Sequence, residues 1–548
     1  MGRRALFVVK EIDGAEPIGA LYVAGALRQA GHDCRFIGTR GTDVAREVRK
    51  LDPHVLALAT TTGRHPFYLA MAAELKRRNP RMLVLLGGPH ATYFPECVRS
   101  PGIDVVCRGE GEDAAVELFD ALDRGDDIRG IADLWVKQDG RVYANAPREL
   151  RRDLDSIPWP PRELLWEYDD RLRQRPLKSF TTNRGCPFPC SYCFNPSLTE
   201  HYGSTWKKPR IRSPEDVVAE IAHVRARSPL QVVGFRESIF VYSATWLRAF
   251  GELYRSEIGL PYYCHLRADI LDEEMVDLLA WSGCCSANVG IETADEDLAN
   301  RVLARRVDMS RLVRGIRMLK KAGIAVFADN ILGIPGATLE HDLRTLRLNI
   351  ELDVDYAAAT LCTPYPGTGI AAYALEHGYW DGDIDKIQPS YYTTSALRFS
   401  SVAEKRRIES LHKLFALTVA LPALYPVTLR ALDLPENDWF YALFRSWYLV
   451  QHMTDIMPRR PDWSQLVEGI SAVFGIYRGK DPVFPPAPPL ESLPVVPGTA
   501  AVPVTRLSRS RRRAARETIG TAVVPDDPTT RPEQGRGARS LPRAHDAR

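Results

Sequence analysis

The chain has 548 residues, 45% of them hydrophobic and 26% charged, with ten cysteines; that is enough to bury several cores in roughly three or four domains and excludes a small disulfide module. Its 72 basic and 69 acidic residues leave a formal charge of +3, too little to argue for a nucleic-acid partner. The excess basicity lies at the end, where residues 481–548 hold eleven arginines against seven acids.

The first ten residues carry an apolar run too short for a secretory leader, and Lys10 and Glu11 interrupt it. The uncharged stretch 414–429 contains Pro422 and Pro426 and falls short of the roughly 20 residues that cross a bilayer. A cytoplasmic protein with no membrane partner is expected. In that reducing compartment cysteines serve as apolar side chains, metal ligands or redox groups rather than as disulfides.

From residue 5 to about 122 short apolar runs (5–9, 33–37, 55–59, 82–86, 105–107) alternate with amphipathic helical patterns (19–30, 68–78). This predicts a doubly wound, Rossmann-like parallel sheet in a first domain, 1–140. Its ligand belongs beyond the carboxyl ends of the strands. Those ends carry Glu16-Pro17-Ile18-Gly19, Thr60-Thr61-Thr62-Gly63, Gly87-Gly88-Pro89-His90 and Gly109-Glu110-Gly111-Glu112, small or hydroxylated loops that let a ligand approach the backbone. No G-x-G-x-x-G follows the first strand, which argues against a dinucleotide.

A connector, 141–175, contains Pro158, Pro160 and Pro161. A second alternation then begins, with strands expected at 179–183, 232–235, 262–267, 287–292, 325–332 and 357–362. Six β/α repeats over 176–370 suggest a partial barrel, (β/α)6 rather than eight-stranded. Ser213-Pro214-Glu215-Asp216 opens one of its helices with a capping serine, a proline and two acids. Residues 371–480 read as a helical, aromatic-rich region on the substrate side; Tyr391-Tyr392 within it and Tyr365 in the loop before it are candidates either for substrate contact or for core packing. The Pro- and Arg-rich stretch 481–548 is expected to be disordered.

Chemistry concentrates in Asn183-Arg184-Gly185-Cys186-Pro187-Phe188-Pro189-Cys190-Ser191-Tyr192-Cys193-Phe194, directly after the first barrel strand. Three thiolates spaced C-x3-C-x2-C can hold three corners of a 4Fe-4S cubane and leave the fourth iron open to a chelating molecule. A structural zinc site would need a fourth Cys or His at suitable spacing; the nearest later cysteine, Cys264, is on another strand. The remaining cysteines, including the adjacent Cys284 and Cys285, read as small apolar strand residues.

With this loop the chain resembles the radical S-adenosylmethionine (SAM) superfamily, and its N-terminal half resembles the cobalamin-binding subgroup, over about residues 5–370. The resemblance implies that Cys186, Cys190 and Cys193 ligate the cluster, that SAM chelates the open iron, and that an electron from the cluster cleaves SAM to a 5'-deoxyadenosyl radical. It implies that Tyr192 lies by the adenine, that Glu292, in Gly290-Ile291-Glu292, contacts the ribose or amino end, and that Gly333 and Pro335, in Gly333-Ile334-Pro335-Gly336, border the adenine. Arg267 reads either as a bidentate partner of the SAM carboxylate or as half of a structural salt bridge. Glu237 falls where many relatives carry acids, and its role stays open.

The same resemblance implies that the first-domain loops, with Glu16, Gly19, Thr60, Thr61, Thr62, Gly87, Gly88, Gly109 and Gly111, hold cobalamin (methylcobalamin). The cobalamin signature D-x-H-x-x-G is absent, since Gly14 and Ala15 follow Asp13, so a cobalt without a protein imidazole is expected; His65 and His90 are either ligands or ordinary loop hydrogen bonders. The implied activity is radical methylation of an unactivated carbon, or of a phosphinate phosphorus as in P-methyltransferases of phosphinothricin-type biosynthesis, on a small-molecule substrate in specialised, antibiotic-type metabolism. An external electron donor such as flavodoxin or ferredoxin would supply reducing equivalents. The alternatives are a radical SAM cyclase or rearranging enzyme of the same architecture, and a non-catalytic cobalamin sensor.

Overall fold

The computed structural model describes residues 2–10, 16–240, 243–388, 394–435, 440, 447 and 484–498, all within one compact unit, 1–501. Tyr391 and Tyr392, Asp13 to Ala15, and residues 499–548 lie outside the described residues. Among the described residues no helix is long and apolar enough to cross a membrane.

The first sheet is built from β1 (Arg4–Val9), β2 (Asp33–Gly38), β3 (Val55–Ala59), β4 (Leu83–Gly87) and β5 (Val105–Cys107), all parallel in the order 2-1-3-4-5. Helices cover both faces, so the strands are apolar throughout and two cores form, one on either side. The order reverses between β1 and β3, which opens a crevice at their carboxyl ends. β6 (Leu134–Gln138) and β7 (Arg141–Ala144) then extend the sheet as an antiparallel hairpin past residue 140. Asp139 and Gly140, both at positive φ (52° and 70°), make its turn.

The second sheet contains β8 (Leu177–Phe180), and the chain that leaves it forms a small antiparallel pair, β9 (Asn183–Arg184) with β10 (Arg210–Ile211). β11 (Val232–Phe235), β12 (Tyr262–Leu266), β13 (Cys284–Glu292), β14 (Ala325–Leu332) and β15 (Tyr356–Leu361) follow β8 in sequential parallel order, each separated by helix. This is the partial barrel with six β/α repeats. Alternate residues, among them Val233, Phe235, Cys264, Leu266, Val289 and Ala328, face the helices in the largest core. The intervening residues face the barrel interior.

Residues 484–498 correct the expectation that everything after 480 is disordered. β16 (Val495–Pro497) pairs in parallel with β7, Glu491 reaches Lys137 at 3.2 Å, and Phe484 packs edge-on against Phe67, with ring centroids 5.6 Å apart. The apolar residues Phe484, Leu493 and Val495, spaced among the prolines, cover a sheet edge and a helix that would otherwise face water. The composition that forbids an independent core does not forbid a strap laid on an existing one.

Candidate active site at the barrel mouth

The cysteine loop begins at Gly185, whose φ is +104° and whose missing Cβ would sit 2.8 Å from the Trp206 carbonyl oxygen. Only glycine permits that approach. Ser191 pins the loop: its N–H donates to Leu303 O and its carbonyl accepts from Ile370 N, each at 2.8 Å, while its hydroxyl donates to Val302 O at 2.6 Å. Arg184 fastens the loop's start to the first domain through Glu112, at 2.6 Å.

Cys186, Cys190 and Cys193 come together on this loop. Burial, with a smaller push from the neighbouring Cys193 and Cys190, raises the Cys186 thiol to about 11. Burial likewise raises Cys190, against the charges of Arg305 and Arg267, which favour its thiolate. Cys186 and Cys190, whose burial disfavours the thiolate, need a nearby cation to ionise. Among the described residues no set of three His, Cys, Asp or Glu converges on one ion. Cys193 Sγ also accepts from the Asn195 backbone N–H (3.5 Å) and from Asn195 Nδ2 (3.4 Å), and the Asn195 side-chain oxygen accepts from Trp206 Nε1 (3.3 Å).

Beside the loop, Tyr192 Oη donates to Glu292 Oε1 at 2.8 Å. Glu292 ends β13 in the left-handed region, φ +65°, a strained conformation that turns its carboxylate back over Gly290. A Cβ at Gly290 would stand 2.4 Å from that oxygen. Burial raises the Glu292 carboxyl and the Arg305 charge opposes the shift. The Gly333 loop lies in the same apolar cluster: Ile334, Ile331 and Ile370 pack with Tyr192, and Asp342 accepts from Gly333 N at 3.1 Å.

Arg305 is the residue that sequence reasoning missed. It lies 3.2 Å from Glu292 Oε1 and donates through Nη2 to Gly290 O at 2.9 Å. Its Nε and Nη1 are buried without a hydrogen bond. Ala304 and Arg306 on either side are both left-handed, φ 51° and 52°, and this double reversal aims the side chain into the mouth. Nη1 is the atom that faces Glu292, so Nε is the donor left over, and a buried guanidinium with an unpartnered donor can take a further acceptor.

Arg267 takes the second of its two expected roles. Its fork closes on Asp269, at 3.0 and 2.6 Å, it donates to Arg305 O, and it stacks over Phe188 at 4.0 Å. With the bidentate edge occupied, Arg267 braces the cysteine loop and the Arg305 turn.

On the first domain, Thr60, Thr61 and Thr62 follow β3 at the switch point, and Gly87 and Gly88 follow β4 beside it. Gly88 is left-handed, and a Cβ there would lie 2.9 Å from Thr60 N. Gly19, in the first turn of helix Ile18–Gln29, has open space where a Cβ would be. Two expectations change. Glu16 is spent on the barrel: its carboxylate accepts from Ser179 N at 2.9 Å and pairs with Arg162 at 3.5 Å. Tyr202 fills the space at Gly109 and accepts from Glu110 N at 2.7 Å, so this loop is a domain contact, and Gly111 beside it packs on Cys107 and Val23. His65 and His90 stack with centroids 4.0 Å apart, His90 Nδ1 meets Thr62 Oγ1 at 3.1 Å, and burial drives His90 down to about 3. His90 is thus a neutral side chain buried under the Thr60 loop, with His65 stacked on it.

The two halves meet at Tyr93, whose ring stacks on Phe194 at 4.6 Å and whose hydroxyl donates to Phe194 O at 3.0 Å. The first-domain loops therefore abut the residue next to Cys193.

Comparison with known proteins agrees with this geometry. The B12 binding domain family matches residues 12–119 and the Radical SAM superfamily matches 180–348, together about half the chain. The chain belongs to the cobalamin-dependent radical SAM enzymes. An uncharacterized methyltransferase of Pyrococcus horikoshii is 29% identical over 66% of this chain and 78% of its own length. The anaerobic magnesium-protoporphyrin IX monomethyl ester cyclase of Rubrivivax gelatinosus is 28% identical over 64% of each chain. The solved structure of the radical SAM methyltransferase TsrM from Kitasatospora setae, with cobalamin and a [4Fe-4S] cluster bound, shares the fold of this enzyme with a TM-score of 0.63 at 18% identity, over 87% of this chain and 99% of that one.

Proposed function

We propose that this enzyme is a methyltransferase that places a methyl group on an unactivated carbon, or on a phosphinate phosphorus, of a small molecule of specialised metabolism. The observation that carries the reading is the Tyr93–Phe194 contact, which sets the crevice of a B12-binding sheet against the thiol loop of a radical SAM barrel. When bound, the cluster with SAM supplies a radical that removes hydrogen from substrate, and cobalamin supplies the methyl group.

Cys186, Cys190 and Cys193 would hold the cluster. Arg305 would take the SAM carboxylate with its unpartnered Nε, while Glu292, oriented by Tyr192, would take the amino or ribose end and the Gly333-Ile334-Pro335 turn would border the adenine. Thr60, Thr61, Thr62, Gly87, Gly88 and Gly19 would line the cobalamin crevice. The apolar packing of Tyr93, Phe194 and Tyr365 excludes water between the two sites, where a reactive intermediate would otherwise be quenched. An external reductant, flavodoxin or ferredoxin in class, would deliver electrons.

Anaerobic reconstitution with iron, sulfide, cobalamin and SAM tests the assignment, with iron content and reductive SAM cleavage measured for the natural chain and for Cys190→Ala. Loss of both in the variant is the expected result. A Cys190→Ala protein that keeps a full cluster and cleaves SAM would refute it.

A further inference from the structure

Resting on the methyltransferase reading, we infer that the barrel interior recognises substrate through an oxyanion, and that Arg236 is the residue that binds it. Arg236 follows β11, and strand alternation puts it on the interior face with Gly234, opposite Val233 and Phe235, which face the helices. Its guanidinium lies over the Tyr263 ring, 5.1 Å from the centroid. Tyr263 can lie there because residue 234 is glycine: a Cβ would stand 2.6 Å from the Tyr263 hydroxyl. Ser179 Oγ, on the neighbouring β8, accepts from Arg236 Nε at 3.4 Å. Ring and hydroxyl thus hold the guanidinium plane from one side and leave both terminal nitrogens without a hydrogen bond among the described residues.

The absence of a carboxylate partner sets Arg236 apart. Arg162, Arg184, Arg210, Arg212, Arg267 and Arg305, the other arginines around this mouth, each have a carboxylate within 4 Å. Arg236 has none among the described residues, and it is exposed. The interior groups near it do not neutralise it. His265, on the same face, is driven down to about 4, first by burial and then by the Arg236 charge, so it stays neutral. Asp329, on the interior face of β14, is pushed up to about 7 by burial and by Glu292. Glu16, held through Oε2 by Ser179 N and Arg162, makes no ion pair with Arg236 among the described residues. A held, exposed, unpaired guanidinium on the wall of a reaction chamber suits a planar carboxylate or a phosphorus oxyanion, which it binds bidentately. The interior layer beyond it, with Asn288, Phe327 and Tyr356, offers apolar surface and one carboxamide for the rest of the molecule.

The test is anaerobic titration calorimetry of the full chain loaded with cluster and cobalamin, using benzoate and phenylphosphonate as the two oxyanion probes and benzamide as the neutral isostere. At least one anion should bind, and benzamide should bind more weakly. Arg236→Gln should weaken the anion by about ten- to a hundredfold, the range for hydrogen bonds to a charged group, while Arg236→Lys keeps part of the affinity. Which anion is preferred tells a carboxylate from a phosphorus acid. The cluster and cobalamin spectra of each variant report folding without reference to turnover. Equal binding of benzamide and the anions, unchanged affinity in Arg236→Gln, or no anion binding at all would overturn the inference. Anion binding that depends on Arg236 in a protein that methylates nothing would leave the inference standing and sink the methyltransferase reading.

Discussion

Tyr93 and Phe194 tie the two cofactor regions together: one stacked ring pair and one hydroxyl-to-carbonyl bond connect the loop after β4 to the residue beside Cys193. Removing only the hydroxyl, in Tyr93→Phe, should cost about 1 kcal/mol of stability and leave both halves loaded with cofactor. Removing the ring, in Tyr93→Ala, should cost about 3–5 kcal/mol and loosen the alignment of the two halves. The expected signature is a raised ratio of SAM cleaved to product methylated. Equal ratios in Tyr93→Ala and the natural enzyme would show that the contact is only packing.

Arg305 should govern SAM affinity. Its buried charge and unpartnered Nε predict that Arg305→Ala weakens SAM binding by about ten- to a hundredfold, the worth of charge-assisted hydrogen bonds, as read from the SAM-induced change in the reduced cluster's electron paramagnetic resonance spectrum. Arg305→Lys keeps the charge and should fall between. Cobalamin content should not change. Unaltered SAM affinity in both variants would remove Arg305 from the site.

Glu237 gives a pH dependence with a definite sign. It is buried behind the cysteine loop, accepts from Thr182 Oγ1 at 2.5 Å and leaves Oε2 unpartnered; burial pushes it up to about 8. The folded chain therefore holds this proton up to about pH 8, whereas the unfolded chain releases it near pH 4.3. Between those values the folded state binds more protons, so this group's contribution makes stability fall as pH rises. Glu237→Gln mimics the protonated acid. Its melting temperature should exceed that of the natural chain at pH 8, with the gap closing toward pH 5. A gap that widens toward pH 5 would reverse the assignment.

Truncation separates the strap from the residues beyond it. A chain ending at 498 should keep the melting temperature of the full chain, because the β16 pairing and the Lys137–Glu491 contact remain. A chain ending at 483 exposes the β7 edge and the Phe67 face, and should lose about 2–4 kcal/mol from the apolar area and hydrogen bonds given up. Equal stability of the two truncations would make the strap incidental.

Much of this architecture was legible because the signals are local. Strand and helix periods located both sheets, and C-x3-C-x2-C located the cluster loop. The features that escaped are those set by distant partners. The Asp139-Gly140 turn is a readable hairpin signal, yet β6 and β7 are short, and the expected boundary at 140 falls between them. Glu16 sits where a ligand loop belongs, and only the packing of the domains shows that Ser179 and Arg162 use up its carboxylate. Arg267 and Arg305 are both arginines near strand ends; Asp269, two residues along, closes the fork of one, whereas the other, between left-handed Ala304 and Arg306, meets Glu292 and keeps Nε unpartnered. Residues 484–498 escaped because composition reports whether a segment can fold alone, not whether it can dock.

The measurement closest to the central claim is anaerobic turnover with methyl-deuterated SAM, in which S-adenosylhomocysteine, 5'-deoxyadenosine and the product are quantified together. A site that pairs a SAM-bound cluster with cobalamin, and acts on a centre with no usable lone pair, should consume two SAM molecules for different purposes. The two nucleoside products are expected in about equal amounts, with one labelled methyl per product molecule. Methylated product without 5'-deoxyadenosine, or 5'-deoxyadenosine with a rearranged product that carries no label, would contradict it.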